Sequence, residues 1–134
     1  MSRPSSPVEP VDVVTPVRDW LRARLGEKFP DVRVELELPA DWEFGDPPVL
    51  AIADDGGPLD QWPVCTRPTL RLTSYTTGRD TAIIRRALGL LLCSDVPPLA
   101  SVLPGTAVIE ARDSRTGADL ASVTVRTRVR TAAI

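Results

Sequence analysis

The chain has 134 residues, of which 43% are apolar and 25% charged, the size and composition of one soluble globular domain. It contains no run of about 18 apolar residues, so the sequence predicts no membrane-spanning helix. A net charge of −2 and a pI near 5.1 argue against a protein that binds nucleic acid through a basic face.

Residues 1–10 are rich in proline and serine and contain no apolar signal core, which argues against secretion. Because proline cannot join regular hydrogen-bonded ladders, we expect residues 1–10 to form a flexible arm. Residues 11–134 are then expected to form a single domain.

A first helix is predicted to begin with Thr15 as its cap and Pro16 as its first helical residue. It should end near residues 26–28, before Pro30. Its apolar face consists of Val17, Trp20, Leu21 and Leu25. From Val32 to Leu38 apolar and charged side chains alternate, which predicts a half-buried strand.

The central part of the chain contains two further predicted strands. Pro39–Pro48 has the composition of a turn with two aromatic side chains. Val49–Ala53 is apolar throughout and indicates a central strand buried on both faces. A loop over residues 54–63 then leads to Thr69–Tyr75, whose alternation predicts a third strand.

The second predicted helix, Thr81–Cys93, has an unusually wide apolar arc. The arc covers roughly 200°, about twice the width that a helix needs in order to lie on one sheet. Only Arg85, Arg86 and Gly89 form a polar strip. We therefore expect a second surface to cover this helix, either the first helix or another subunit.

Asp95–Pro104 is interpreted as a crossover interrupted by prolines. Ala107–Ala111 and Ala121–Val129 flank the turn residues 113–117, which predicts a C-terminal hairpin. The complete pattern indicates an α+β fold, in which two main helices pack on a largely antiparallel sheet of about five strands.

The charges are unevenly distributed. Residues 1–65 carry six Lys/Arg against thirteen Asp/Glu, a net −7, whereas residues 66–134 carry ten Arg against five Asp/Glu, a net +5. The two halves either neutralise each other within one fold, or the acidic side of one subunit meets the basic side of its neighbour.

The last predicted strand has a row of arginines along one face. The row consists of Arg126, Arg128 and Arg130, and Thr124 precedes it on the same face. They either form a solvated face that pairs with Glu35 and Glu37 across the sheet, or a docking surface for an acidic partner.

Several kinds of chemistry are missing from the sequence. Without histidine, the Ser-His-Asp and Cys-His nucleophiles and most zinc sites are excluded. No phosphate-binding glycine motif is present, and the cluster at residues 54–57 lacks the spacing of a calcium loop. Cys65 and Cys93 are expected to be reduced, although a bridge between them stays open. We expect a protein without catalytic, cofactor or metal sites; an enzyme is the alternative.

The order of the motifs is also informative. PPVLAIA and DDGG at residues 47–57 are followed by RPTLRLTSY at residues 67–75 and by GRDTA at residues 78–82, before the apolar helix. This order resembles the tail terminator proteins of long-tailed, siphovirus-type bacteriophages, particularly those that infect actinobacteria. The similarity covers about Val13–Leu92, and the segment Pro48–Leu92 carries most of it.

The resemblance implies a hexameric ring that caps the head-proximal end of the tail tube in the virion, after assembly in the host cytoplasm. Its partners would be copies of itself, the major tail tube protein and the head-tail connector or stopper. DNA would pass through the ring without sequence-specific binding, and no membrane or cofactor is implied. The alternatives are another head-tail neck protein, such as a stopper or adaptor, and a small monomeric binding module.

Under this resemblance, exposed aromatic and charged side chains are the candidate contacts between subunits or with partners. The candidates are Trp42, Phe44, Asp54, Asp55, Trp62, Arg85, Arg86, Arg126, Arg128 and Arg130. For the residues in loops, the alternative is ordinary packing within the domain.

Overall fold

A computed structural model of the chain describes residues 6–134. The elements are β1 (Val8–Glu9), α1 (Val14–Leu25), β2 (Arg33–Glu35), β3 (Val49–Asp54), β4 (Cys65–Thr66), β5 (Thr69–Thr76), α2 (Ala82–Cys93), β6 (Ser101–Pro104), β7 (Ile109–Arg112), β8 (Asp119–Arg130) and β9 (Ala132–Ala133). Seven strands form the main sheet, and β1 pairs with β9 in a second sheet. The predicted α+β class, with two helices on a largely antiparallel sheet, is confirmed.

The long strand β8 organises the main sheet, because β4 and β5 pair with one of its edges and β6 and β7 with the other. β4 and β5 follow the same register and are separated at Pro68, which has no backbone N–H. β6 and β7 are offset by two residues around Gly105, where a Cβ would overlap the Thr124 backbone. These two interruptions explain why the main sheet has seven strands instead of the predicted five.

The other half of the sheet follows the order β2-β3-β5-β8, with β2 and β3 parallel and the remaining pairs antiparallel. β3 is buried over residues 49–52 and is paired on both sides, as predicted. The predicted strand Val32–Leu38 is too long. The chain leaves the sheet after Glu35, because Leu38 turns to pack beside Trp42.

Both helices contribute to one core with the sheet. α1 begins one residue before the predicted cap, and the Val14 backbone N donates a hydrogen bond to Asp12 Oδ1 (3.1 Å), so Thr15 lies inside the helix. The buried residues of α1 are Val17, Leu21 and Leu25, and those of α2 are Ile83, Ile84, Ala87 and Leu91. Trp20 of α1 is half-buried.

The wide apolar arc of α2 is largely covered within the chain. Leu88, Leu90 and Leu92 are partly buried against the core, and α1 packs beside α2. The exposed large apolar residues of the described chain all lie outside this helix. We expected either the first helix or another subunit to cover α2. The first helix covers it together with the sheet, so α2 does not itself require another subunit.

The C-terminal hairpin is formed by β7 and β8, as predicted. The segment Asp95–Pro104 is not only a crossover, because its last four residues form β6. Residues 1–5 of the predicted arm lie outside the described residues. Within the rest of the arm, Val8 and Glu9 pair with Ala133 and Ala132, an arrangement that the sequence did not predict.

The two faces of the main sheet differ, and we name them by their residues. The inner face, which packs against both helices, includes Leu50, Ile52, Leu70, Leu72 and Val123. The outer face points away from the helices and includes Ala51, Arg71, Thr73, Thr124 and Arg126. Among the candidate contacts, Arg126 lies on the outer face, together with Arg128 and Arg130 at alternate positions of the same strand.

Candidate interaction surface

Trp42 lies on the outer face near the beginning of β8. Val49, Tyr75 and Leu120 are aligned across β3, β5 and β8, and the indole packs among them with Ala118. Its side chain is 3% exposed, and Nε1 donates a hydrogen bond to the Pro47 carbonyl (2.9 Å). The prediction that Trp42 is an exposed contact residue is wrong, because these three strands provide an apolar seat for it.

The loop that carries Trp42 is acidic on its exposed side, and we call residues 36–48 the acidic loop. Its four carboxylates are Glu37, Asp41, Glu43 and Asp46; all are exposed, and the loop contains no Lys or Arg. None of them forms an ion pair within the described residues. Asp46 Oδ2 accepts a hydrogen bond from the Glu43 backbone N (2.8 Å), which holds the tip of the loop.

Phe44 is the exposed apolar residue at the tip of the acidic loop. Its side chain is 58% exposed, and its ring lies beside Gly117 at the end of the β7–β8 turn. Among the aromatic candidates, Phe44 therefore keeps the exposure that an interface residue needs.

At the opposite end of the outer face lies the arginine row, Arg126, Arg128 and Arg130. The alternate residues Val125, Thr127 and Val129 point to the inner face and are buried. Arg126 Nε donates a hydrogen bond to the Pro104 carbonyl (3.1 Å). Within residues 6–134, no carboxylate forms an ion pair with any of the three guanidinium groups.

The predicted pairing of the arginine row with Glu35 and Glu37 is wrong. Glu35 lies on β2 at the far edge of the sheet, where its carboxylate is within 4.0 Å of Arg22 and 3.7 Å of Arg33. Glu37 lies in the acidic loop. Strand order separates these residues from β8, and a sequence pattern alone does not reveal strand order.

The loop after β3 reaches the same end of the outer face as the arginine row. Asp54 Oδ1 accepts a hydrogen bond from the Gly56 backbone N (2.7 Å), as expected of a turn. Asp55 pairs with Arg71 at 3.4 Å, and Asp60 pairs with Arg67 at 2.9 Å. The carboxylates Asp55 and Asp60 therefore neutralise Arg71 and Arg67, and neither of them pairs with the arginine row. Trp62, in the same loop, is half-buried.

A shallow cavity of about 380 Å³ lies beside the arginine row. Its lining comprises Gln61, Arg67, Ser101, Leu103, Arg126, Thr127 and Arg128. Because β4 and β5 share one register along β8, Arg67 lies opposite Arg128. The cavity thus has basic walls and one apolar wall, formed by Leu103, which is 51% exposed.

The sequence did not single out the apolar residues of the adjacent edge. Leu103 lies opposite Arg126, and Ile109, which is 60% exposed, lies opposite Ser122, so both point to the outer face. β6 and β7 pair only with β8 among the described strands, and their other side forms what we call the open edge.

Arg85 and Arg86 lie elsewhere. Both are exposed on α2, in the helix layer that covers the inner face, and Arg85 Nε donates a hydrogen bond to the Thr81 carbonyl (3.4 Å). They border a wide groove together with Lys28 and Cys93. The structure therefore does not bring these two candidates together with the arginine row.

Two ionisable groups at the hairpin have shifted pKa values. Burial raises the pKa of Tyr75, and the nearby Asp113 carboxylate raises it further. The hydrogen bond from Thr116 Oγ1 (2.6 Å) lowers the pKa of Asp113.

The remaining chemistry of the described residues is simple. Cys65 and Cys93 are both free, and Cys65 Sγ donates a hydrogen bond to Gln61 Oε1 (2.9 Å). Between residues 6 and 134, no cluster of three or more His, Cys, Asp or Glu is arranged to hold a metal ion. Neither helix in this range has the length and apolar character of a membrane span.

No protein-family model matches the chain, and no curated protein sequence is significantly similar to it.

Proposed function

We propose that the chain is a structural protein that assembles with its own copies into a ring. Following the resemblance of its motifs, we propose that this ring, a hexamer, caps the head-proximal end of a bacteriophage tail tube. The observation that carries the proposal is the one-sided sheet. Both helices pack on the inner face, whereas the outer face has exposed apolar residues and an arginine row that forms no ion pair within residues 6–134.

The open edge supports contact with another chain. An unpaired edge strand presents backbone N–H and C=O groups that a partner strand can pair with, and native proteins usually cover or blunt such edges. Here Leu103 and Ile109 are exposed beside it, although burying each in a contact would be worth roughly 1 to 2 kcal/mol. The molecule therefore presents a surface that is better suited to an assembly than to an isolated subunit.

A ring follows when one surface of a subunit binds a different surface of the next subunit and the rotation closes. Such a ring would end tube growth by geometry, because it occupies the end on which the next tube ring would assemble. Its opposite side would then be available to the head-tail connector.

The test combines imaging with an assay of tube growth. The purified chain is imaged by negative stain and weighed by native mass spectrometry, with and without tube subunits, and is then added to polymerising tube protein. We expect rings whose subunit number is a multiple of six, and tubes that stop growing. A protein that stays monomeric with tubes present, or that leaves tube length unchanged, contradicts the proposal; a stopper or adaptor would instead bind the portal side.

A pair of matched variants shows whether the open edge is used. Leu103→Lys/Ile109→Lys places two charges on the outer face at this edge and should abolish ring formation and capping. Ala23→Lys/Gly89→Lys places two charges on exposed positions of the helix layer and should leave both intact. Equal loss of rings in the two variants would show that the open edge has no special role.

A further inference from the structure

We propose that the acidic loop of one subunit docks onto the arginine row of the next subunit. This inference rests on the proposed self-assembly and names the two surfaces that meet. Their charges are complementary, and each surface lacks a partner of opposite charge among the described residues of its own chain.

The two surfaces lie too far apart to pair within one chain. The acidic loop is seated by Trp42 beside Leu120, at the beginning of β8, whereas the arginine row is centred on Arg128. At about 3.3 Å per residue, the eight residue steps from Leu120 to Arg128 span roughly 26 Å. The packing of Trp42 against Val49, Ala118 and Leu120 holds the loop at its own end.

The shapes also suit each other. The cavity beside the arginine row is about 380 Å³ and has Leu103 as an apolar wall, and the tip of the acidic loop presents the exposed ring of Phe44. We infer that Phe44 of the neighbour enters this cavity while Asp41 and Glu43, which precede it in the acidic loop, meet the guanidinium groups. An apolar anchor surrounded by charge-assisted hydrogen bonds is a common arrangement at specific interfaces.

This docking is directional. Because the donor surface and the acceptor surface lie at opposite ends of one face, each subunit can bind one neighbour through its loop and another through its arginines. Contacts of this kind are heterologous, and they close into a ring or continue as a filament. A two-fold dimer can also pair each loop with the partner's arginine row, so a complex larger than a dimer is the result that identifies the ring.

Charge-reversed variants test the docking. Asp41→Lys/Glu43→Lys and Arg128→Glu/Arg130→Glu each place like charges across the contact, so each should weaken self-association at low salt at least about tenfold. An equimolar mixture of the two variants restores complementary charges at every contact, and so does the fourfold variant. Self-association is measured by sedimentation and native mass spectrometry, and thermal unfolding verifies that each variant folds.

Matched controls carry the same charge changes at other places. Arg85→Glu/Arg86→Glu reverses two exposed arginines in the helix layer, and Asp31→Lys/Asp95→Lys reverses two exposed carboxylates outside the acidic loop. Both should associate like the unmodified chain. Phe44→Ala should weaken association without lowering stability, because its ring is mostly exposed in the single chain.

The outcomes separate this inference from the proposed function. Unmodified rings in both reversed variants, or no recovery in their mixture, overturn the docking and leave tube capping untouched. Recovery in the mixture together with a failure to cap tubes supports the docking and overturns the terminator function. A chain that does not associate at low salt also overturns the docking, whereas capping is scored in its own assay.

Discussion

The two faces of the main sheet come from the same strands but have different tasks. On the inner face Leu50, Leu72 and Val123 are at most 1% exposed and form one core with both helices. The outer face has a small apolar cluster around Trp42 at one end and, at the other, the arginine row, which has no ion-pair partner among the described residues. The comparison indicates that the inner face contributes most of the buried apolar surface, whereas the outer face keeps exposed apolar and charged side chains.

The strongest way to test this difference is to make the same change on each face. Leu72→Ala removes a fully buried side chain from the inner face and should lower the free energy of unfolding by about 3 to 4 kcal/mol. Leu103→Ala on the outer face should lower it by less than about 1 kcal/mol. Urea denaturation measures both values. Similar losses would show that the outer face is also part of the core.

Alanine substitutions of the two aromatic residues of the acidic loop should differ in their effect on the free energy of unfolding. Trp42→Ala should cost about 3 kcal/mol, because it empties the small cluster on the outer face and removes a hydrogen bond. Phe44→Ala should cost less than about 0.5 kcal/mol. A large loss for Phe44→Ala in the same denaturation assay would mean that its ring supports the hairpin beside it.

Alanine substitutions at two glycines compare the stability of the loop after β3 with that of the helix layer. A Cβ at Gly57 would overlap the Arg67 carbonyl oxygen, so Gly57→Ala should destabilise the chain by about 2 kcal/mol and displace the loop that carries Asp55 and Asp60. Gly89 lies inside α2 with no atom near its missing Cβ, so Gly89→Ala should stabilise by about 0.5 to 1 kcal/mol. Thermal unfolding of the two variants should therefore shift in opposite directions.

The smallest effect is expected at the hairpin turn. The pKa of Asp113 is lowered in the fold, so its contribution to stability is present above its ordinary pKa of 3.8 and is lost as the pH falls through the lowered value. Thr116→Val removes the hydrogen bond, should raise the pKa of Asp113 and should flatten this loss. NMR titration of the carboxyl measures the shift. Thr77→Val, at an exposed threonine, should leave this pKa unchanged.

The parts of the fold that were predicted correctly are those in which burial alone sets the pattern. Thr69–Tyr75 and the second helix have periodic apolar residues along their whole length, and both were found within one residue of their predicted bounds. The alternation of Val32–Leu38 was misleading, because a period of two does not show whether a neighbouring strand is present at every residue. β6 was missed because Pro97 and Pro98 before it and Pro104 at its end indicate a loop, although an edge strand tolerates Pro104.

The candidate surface could be predicted only in part. The arginine row follows directly from the alternation in β8, and its shared face was confirmed. The burial of Trp42 depends on three strands that are distant in the sequence. Strand order likewise decides that Glu35 lies away from β8. These relations depend on tertiary structure, which local sequence patterns do not predict.

The positions of the three tryptophans have a practical consequence. Trp20 lies on α1, Trp42 is buried on the outer face, and Trp62 is half-buried in the loop near the arginine row. Each region therefore contains its own intrinsic fluorophore. In a chain that retains Trp62 alone, docking would shift the tryptophan emission. In a chain that retains Trp42 alone, the emission would not shift until the sheet unfolds.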